Sequence, residues 1–282
     1  MKGHDSHLPT DIQVTVARAL DEDIGSGDLT GRLLPEVATA RASVICRETA
    51  VVCGIPWFDE VYRQLDPSIQ INWNVNDGER LQANQIVCTL EGKARTMLTG
   101  ERTALNFLQL LSGTATATSE YAALLQGTST LLLDTRKTIP GLRTAQKYAV
   151  ACGGGNNHRM GLYDAILIKE NHISAAGSIA GVLGIAGSIH ANVEIEVESL
   201  KQLEEALVSG AKKVLLDNFD LASMRAAVKL NAGRAKLEVS GGVGPDNIRA
   251  IAATGVDYIS VGALTKHVRA IDYSMRIDNR SL

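Results

Sequence analysis

Aromatic side chains are scarce: three Phe, two Trp and six Tyr make up 4% of 282 residues. Ala, Leu, Ile and Val therefore supply the bulk of the 45% hydrophobic content. That is the composition of a packed α/β enzyme and excludes a disordered chain. Cysteine is sparse as well. Cys46, Cys53, Cys88 and Cys152 form no C-x-x-C pair and no paired metal-ligand spacing, so they read as reduced core thiols of a cytoplasmic protein. Neither sign of charge prevails; the net charge of −3 gives no general attraction to nucleic acid, and any positive site must be local. No apolar run is long: the stretch around Ile179–Gly187 falls far below the roughly 20 residues that span a bilayer. Met1–Asp11 is polar and carries no apolar signal segment. The expectation is a soluble cytoplasmic protein with neither a membrane nor a nucleic acid as partner.

What is present divides into two textures. Ile12, Val16, Ala19 and Leu20 form one stripe of a short helix over Asp11–Leu20. Between Arg41 and Gly92 the pattern turns to strands, with Ile69, Ile71, Trp73 and Val75 alternating with polar residues. The turn-rich stretch Val75–Cys88 resembles a lipoyl or biotinyl carrier domain, but no lysine sits at a hairpin tip to be modified. A helix is expected over Thr99–Ser112, stopped by Gly113, and a second over about Ala115–Gln126. After Gly127 a βα rhythm begins. Six apolar runs each end in a polar or glycine residue: Leu131–Leu133, Ile166–Ile168, Val193–Ile195, Val214–Leu216, Leu237–Val239 and Ile259–Val261. Ser199 with Gln202 forms a capping box, Gly210 ends the helix that follows, and Pro245 marks the first turn of another. The repeat predicts a parallel barrel. Only about 150 residues are available where a complete barrel takes about 250, so the barrel is expected to be incomplete and covered by something else.

Function in such barrels collects at the C-terminal strand ends. Strand one delivers Arg136 and Lys137, and its following loop carries Arg143 and Lys147. Asn156-Asn157-His158-Arg159 precedes strand two, which ends at Lys169. Cations crowded in low dielectric repel, so Arg136, Lys137, His158, Arg159 and Lys169 imply bound anions. Arginine contributes planar bidentate contacts and lysine a point charge. Strands three and four end in Glu196 and Asp217, a pair suited to magnesium, directly or through water, because magnesium takes one or two carboxylates plus substrate phosphates. A structural alternative is that they balance the neighbouring lysines. Strands five and six end in Ser240-Gly241-Gly242 and Val261-Gly262-Ala263, turns that let main-chain N–H groups approach a phosphate, with a helix at Pro245 offering its positive end. No Ser-His-Asp or Cys-His arrangement is legible.

Gly100–Phe107, Asp134–Arg143, Asn157-His158-Arg159, Leu167–His172, Glu194–Val197, Leu215–Phe219 and Ser240-Gly241-Gly242 closely resemble, in order, the segments of the quinolinate phosphoribosyltransferases. Glu170 and Ile139 depart from the family's common Asp and Thr and touch no assigned charge. The resemblance implies an N-terminal α/β sandwich domain over residues 1–114, an incomplete α/β barrel of six or seven parallel strands over 115–270, and a C-terminal tail over 271–282. It implies a homodimer with shared active sites, or a higher oligomer. Quinolinate would lie against Arg102 of the other subunit with Arg136, His158, Arg159 and Lys169, and Thr138 would be a further substrate-binding residue. Phosphoribosyl pyrophosphate and magnesium would lie against Lys137, Glu196, Asp217 and the two glycine turns. Three other readings stay open: a sister enzyme acting on nicotinate, a Schiff-base aldolase using Lys169, and a non-enzymatic phosphate-binding protein.

Overall fold

The structure, a computed structural model, describes residues 8–278; the reading of the N-terminus as free of a signal segment falls for the most part outside it. The chain divides into two compact units. Unit 1 comprises Met1–Ser119, Ile139–Gly154 and Leu264–Leu282, and unit 2 comprises Glu120–Thr138 and Gly155–Ala263. The first boundary thus lies five residues beyond the expected one, and two later segments of the chain return to unit 1.

Unit 1 is built on a sheet of β1 (Thr39–Cys46), β3 (Gln70–Trp73), β5 (Gln85–Lys93) and β12 (Tyr273–Ile277) in the order β12-β1-β5-β3, with β1 antiparallel to both its neighbours. The minor strands β2 (Ala50–Val51) and β4 (Arg80–Leu81) pair separately. The expected tail over 271–282 is therefore corrected within the described residues: Tyr273 and Met275 are buried in the core and hold β12 onto β1. Helix α1 (Ile12–Ile24) buries Val16 and Leu20, as its stripe predicts. Helix α2 (Ile55–Leu65) was not expected from the strand-like surroundings. Its signal is Pro56 in the first turn followed by Trp57, Phe58, Val61 and Tyr62, all buried at helical spacing. Phe58 meets Trp73 edge to face at 5.1 Å, and Trp73 donates to Asp59 at 2.8 Å. Each such side chain contributes roughly 1.5–3 kcal/mol by leaving water. Low aromatic content is thus compensated by concentration: both tryptophans pack in this one unit.

One helix, α3 (Ala94–Leu124), replaces the two expected over Thr99–Ser112 and Ala115–Gln126. Gly113 does not stop it. A Cβ there would lie 2.2 Å from the carbonyl oxygen of Arg269, so the glycine permits the 269 segment to cross the helix at main-chain contact. Beside it, Ser112 accepts from the Cys53 N–H at 3.0 Å and shares a hydrogen bond with Tyr273 at 3.0 Å. Helix α4 (Arg143–Cys152) also belongs to unit 1, so Arg143 and Lys147 are helical and not in a loop of the barrel. Lys147 is 1% exposed.

Unit 2 carries six parallel strands, β6 (Leu131–Leu133), β7 (Ala165–Ile168), β8 (Asn192–Val197), β9 (Lys213–Asp217), β10 (Lys236–Ser240) and β11 (Tyr258–Ser260). All six expected strands are found, within two residues at their ends. Their order is β6-β11-β10-β9-β8-β7, leaving β6 and β7 at the two edges. Closure between them is partial: Asn156 forms one parallel bridge to Leu133. Crossovers run through α5 (Glu170–Ala176) and α6 (Ile179–Gly187), then α7 (Leu200–Val208), α8 (Leu221–Asn231) and α9 (Ile248–Ala252). Ser199 caps α7 by accepting from Gln202, and Asp220 caps α8 by accepting from Ser223 at 2.7 Å. The four cysteines are free and buried. No described helix is long and apolar enough to cross a membrane.

The Gly113 crossing yields a stability test. Replacing Gly113 by Ala forces helix and crossing segment apart and should destabilise the protein by about 1–3 kcal/mol or more. A lowered urea midpoint at unchanged slope is the expected outcome; a midpoint equal to wild type would show that the crossing does not require glycine.

Candidate active site in the parallel sheet

Register decides what faces the sheet's functional side. Alternate residues of a strand share a face. Glu196 pairs with Leu215, and Asp217, two residues on, shares the face of Leu215 and pairs with Ser240. Glu196, Asp217 and Ser240 therefore stand on one face at the C-terminal ends of three adjacent strands. Lys169 follows the last residue of β7 and reaches Glu196 at 2.5 Å. Its main chain is pinned because its N–H donates to Nδ1 of His172, in the first turn of α5, at 3.0 Å. The carboxylate–lysine pairing anticipated as an alternative is thus present for Glu196. Asp217 accepts instead from Asn218 at 3.2 Å.

The first glycine turn adopts a backbone conformation that side chains resist. Gly241 and Gly242 have φ of 91° and 61°, a region side chains avoid. A Cβ on Gly241 would stand 3.3 Å from Asp217 Oδ1. At the other turn, a Cβ on Gly262 would stand 3.0 Å from Lys137 Cδ, so Lys137 lies directly over Gly262, between buried Val261 and Ala263, the first residue of the short helix α10 (Ala263–Lys266). The expected helix at Pro245 is corrected. Helix α9 starts only at Ile248 and has five residues, because Gly244 donates to Asn247 Oδ1 and residues 245–247 form a turn. It offers no extended helix dipole.

The remaining cations form a second group. Thr138 donates its N–H to the carbonyl of Arg136 at 3.0 Å, tightening the turn after β6. Arg136 has its Nε buried with no partner among the described residues. Burial, and then the neighbouring Arg136 charge, hold the Arg159 guanidinium below its usual range. Arg159 Nη1 donates to the Ala165 carbonyl at 3.0 Å. Two guanidiniums close enough to repel are relieved by an anion between them. Arg102 is exposed on α3, in unit 1.

His158 is held at its main-chain N–H and at both ring nitrogens. Its N–H donates to Asp134 Oδ1 at 2.8 Å, its Nδ1 accepts from the Arg159 N–H at 2.8 Å, and its Nε2 meets Glu194 Oε2 at 2.8 Å. Glu194 and Glu238 were missed in the sequence because each sits inside a run that reads as apolar, Val193–Ile195 and Leu237–Val239. The available signal was a charge in the middle of a short buried strand, which demands a partner. Lys213 supplies it, 2.7 Å from Glu238 and 3.3 Å from Glu194. Burial raises the Glu194 carboxyl, but the His158 hydrogen bond and the Lys213 charge outweigh it and hold the group below its usual range. Burial, then the Glu194 charge, pushes Glu238 up. A cavity of about 930 Å³, lined by Leu131, His158, Arg159, Glu194, Lys213 and Tyr258 among others, opens toward the starts of the strands, away from Asp217 and the glycine turns.

These features define a class: an α/β enzyme with an incomplete parallel barrel whose strand ends combine cations, carboxylates and glycine turns. The chain belongs to the quinolinate phosphoribosyl transferase family. Residues 28–112 match its N-terminal domain and residues 114–276 its C-terminal domain. A probable nicotinate-nucleotide pyrophosphorylase (carboxylating) of Bacillus subtilis is 40% identical over 259 residues, 91% of this chain and 90% of that protein. The nicotinate-nucleotide pyrophosphorylase (carboxylating) of Mycobacterium leprae is 41% identical over 93% of this chain and 95% of that protein. The solved nicotinate-nucleotide pyrophosphorylase of Francisella tularensis superposes with a TM-score of 0.94 at 48% identity, covering 96% of this chain and 98% of that one.

The Arg136–Arg159 repulsion predicts anion-linked stability. A pyridine or benzene ortho-dicarboxylate at 100 times its dissociation constant should stabilise the protein by about 2.7 kcal/mol, read as a rise in unfolding temperature. The rise should shrink in Arg136→Ala and in Arg159→Ala. Equal rises in wild type and both variants would separate these arginines from the anion.

Proposed function

We infer that the chain transfers a phosphoribosyl group from phosphoribosyl pyrophosphate to quinolinate with decarboxylation, giving nicotinate mononucleotide, pyrophosphate and carbon dioxide, in NAD biosynthesis. The observation that carries this reading is the match of both family domains across residues 28–276. Both residue sets expected for the two substrates lie within that match. Quinolinate carries two adjacent carboxylates, and Arg136, Arg159 and Lys169 supply cationic partners, with His158 and Thr138 beside them. Lys137 over Gly262 and the turn Ser240-Gly241-Gly242 suit the phosphates.

Charge then directs the chemistry. The pyridine nitrogen donates its electron pair to the anomeric carbon as the C–O bond to pyrophosphate breaks. Lys137 offsets the charge of the departing pyrophosphate, and Glu196 and Asp217 offset the positive charge that develops on the ribose. The ring nitrogen, now cationic, stabilises the carbanion left at C2 when its carboxylate departs as carbon dioxide, and a proton completes that carbon. The protein's task is to hold and orient two anions. Magnesium fits the donor set, since Glu196 and Asp217 present hard oxygen ligands on one face of adjacent strand ends. It would screen the diphosphate there and stabilise it as a leaving group.

The partner subunit completes this reading. Arg102 comes from unit 1 and Lys169 from unit 2. A two-fold homodimer in the cytoplasm would build two sites, each taking Arg102 from one chain and Lys169 from the other.

Two measurements test the proposal. Quinolinate should be used about 10- to 100-fold better than nicotinate, because a lost charge-assisted contact is worth ~1.5–3 kcal/mol; comparable turnover would exclude the dicarboxylate assignment. For the shared site, Arg102→Ala and Lys169→Ala should each be nearly inactive alone. Refolded together they should recover about a quarter of wild-type activity, because about half of the dimers are mixed and each has one intact site. Mixed dimers as inactive as their parents would place both residues in the same site of the same chain.

A further inference from the structure

Inside the barrel lies a charged cluster that the reaction above does not use. Glu194 and Glu238 are 5% and 1% exposed, and a buried carboxylate is retained only with partners. Register places Glu194 two residues before Glu196 on the same face of β8, and Glu238 two residues before Ser240 on β10. Each therefore lies one layer below a residue assigned to the substrates. The cluster has the composition of a metal site, with His158, Glu194 and Glu238 oxygen and nitrogen atoms mutually within 4.8 Å. The Lys213 ammonium, 2.7 Å from Glu238 and 3.3 Å from Glu194, already holds the cation's place.

We propose that Glu194, Glu238 and Lys213 are positioning residues for quinolinate, fixing His158 as its Nε2–H tautomer and, through Nδ1 of that ring, the main chain of Arg159. The argument runs outward from the cluster. Lys213 keeps the two carboxylates together. Glu194 Oε2 lies 2.8 Å from His158 Nε2, and an ionised carboxylate only accepts, so Nε2 carries the proton. Nδ1 must then be a lone pair, and the Arg159 N–H points at it from 2.8 Å. The wrong tautomer would set two N–H groups against each other and release the Arg159 main chain. Burial, then the Glu194 charge, pushes the Glu238 carboxyl up, and the Lys213 ammonium 2.7 Å away opposes that push. The layout parallels metal and triad sites in which a carboxylate behind a histidine selects its tautomer. Here the beneficiary is the main chain of a neighbouring arginine.

The inference rests on the assignment of His158 and Arg159 to quinolinate, and its test separates the two. The imidazole nitrogens of the 15N-histidine-labelled wild-type protein are recorded at about pH 7, His158 being identified by its loss in His158→Asn. Wild type should show one protonated nitrogen, Nε2, and one unprotonated, Nδ1. Glu194→Ala should give a mixture of the two neutral tautomers. Should Glu194→Ala not fold, Lys213→Met, at a side chain 29% exposed, is used for the same spectrum and should shift the His158 nitrogens alone. In steady-state assays Glu194→Gln and Lys213→Met should raise KM for quinolinate about 10-fold while KM for phosphoribosyl pyrophosphate stays within about two-fold. Lys213→Arg should recover most of the loss. A wild-type ring bearing its proton on Nδ1, spectra unchanged in both variants, or equal losses toward both substrates would overturn the proposal. A fixed tautomer in a protein that does not turn over quinolinate would overturn the functional reading and leave the tautomer assignment standing.

Discussion

A β-strand shows only every second side chain to a given face, about 6.6–6.8 Å apart, and this spacing organises the whole of unit 2. Each strand that bears a functional residue at its C-terminal end must present another residue to the same face one layer down. On β8 the pair is Glu196 and Glu194; on β10 it is Ser240 and Glu238. On β9 three residues share the face, Asp217, Leu215 and Lys213. A polar end layer on short strands thus sits directly over a second layer, and here that second layer is charged. Its charges persist because they meet one another: two carboxylates, one ammonium and one imidazole within hydrogen-bonding reach.

The open edge of the sheet has a related effect. With β6 and β7 unpaired to each other, Asn156 bridges to Leu133 and the Asn157–Arg159 segment continues from it. An irregular segment at a sheet edge has few ladder bonds to define it. Asp134 supplies one by accepting the His158 N–H, and the ring of His158 supplies another. A segment of this kind keeps its side chains at a fixed spacing only if side-chain hydrogen bonds replace the ladder bonds it lacks.

Most of the architecture was legible in the chain. Six short apolar runs gave the six parallel strands, because buried parallel strands read as continuous apolar segments. The C-terminal residues of those runs gave the cations, carboxylates and glycines of the strand ends. What escaped has physical causes. Gly113 reads as a helix stop by composition, whereas its smallness serves a crossing chain that no local pattern encodes. Helix α2 lies between strand-like segments, and its four buried residues fit a strand's hydrophobicity as well as a helix's period. Lys213, Glu194 and Glu238 are distant in sequence, and only sheet register makes them neighbours. The short α9 shows the converse: Pro245 signals a first turn, but Asn247 captures the Gly244 N–H and delays the helix.

Strand β12 gives unit 1 an unusual order of assembly. Ala42–Cys46 of β1 pair with Tyr273–Ile277, and between them the chain makes all of unit 2. During synthesis β1 emerges more than two hundred residues before its partner, and one edge of its ladder stays open until the ribosome has passed residue 277. Unit 2, whose strands all lie between residues 131 and 260, is by then fully made. Vectorial synthesis therefore favours folding from the inside of the chain outward, with the inserted unit complete before the enclosing one can close its sheet.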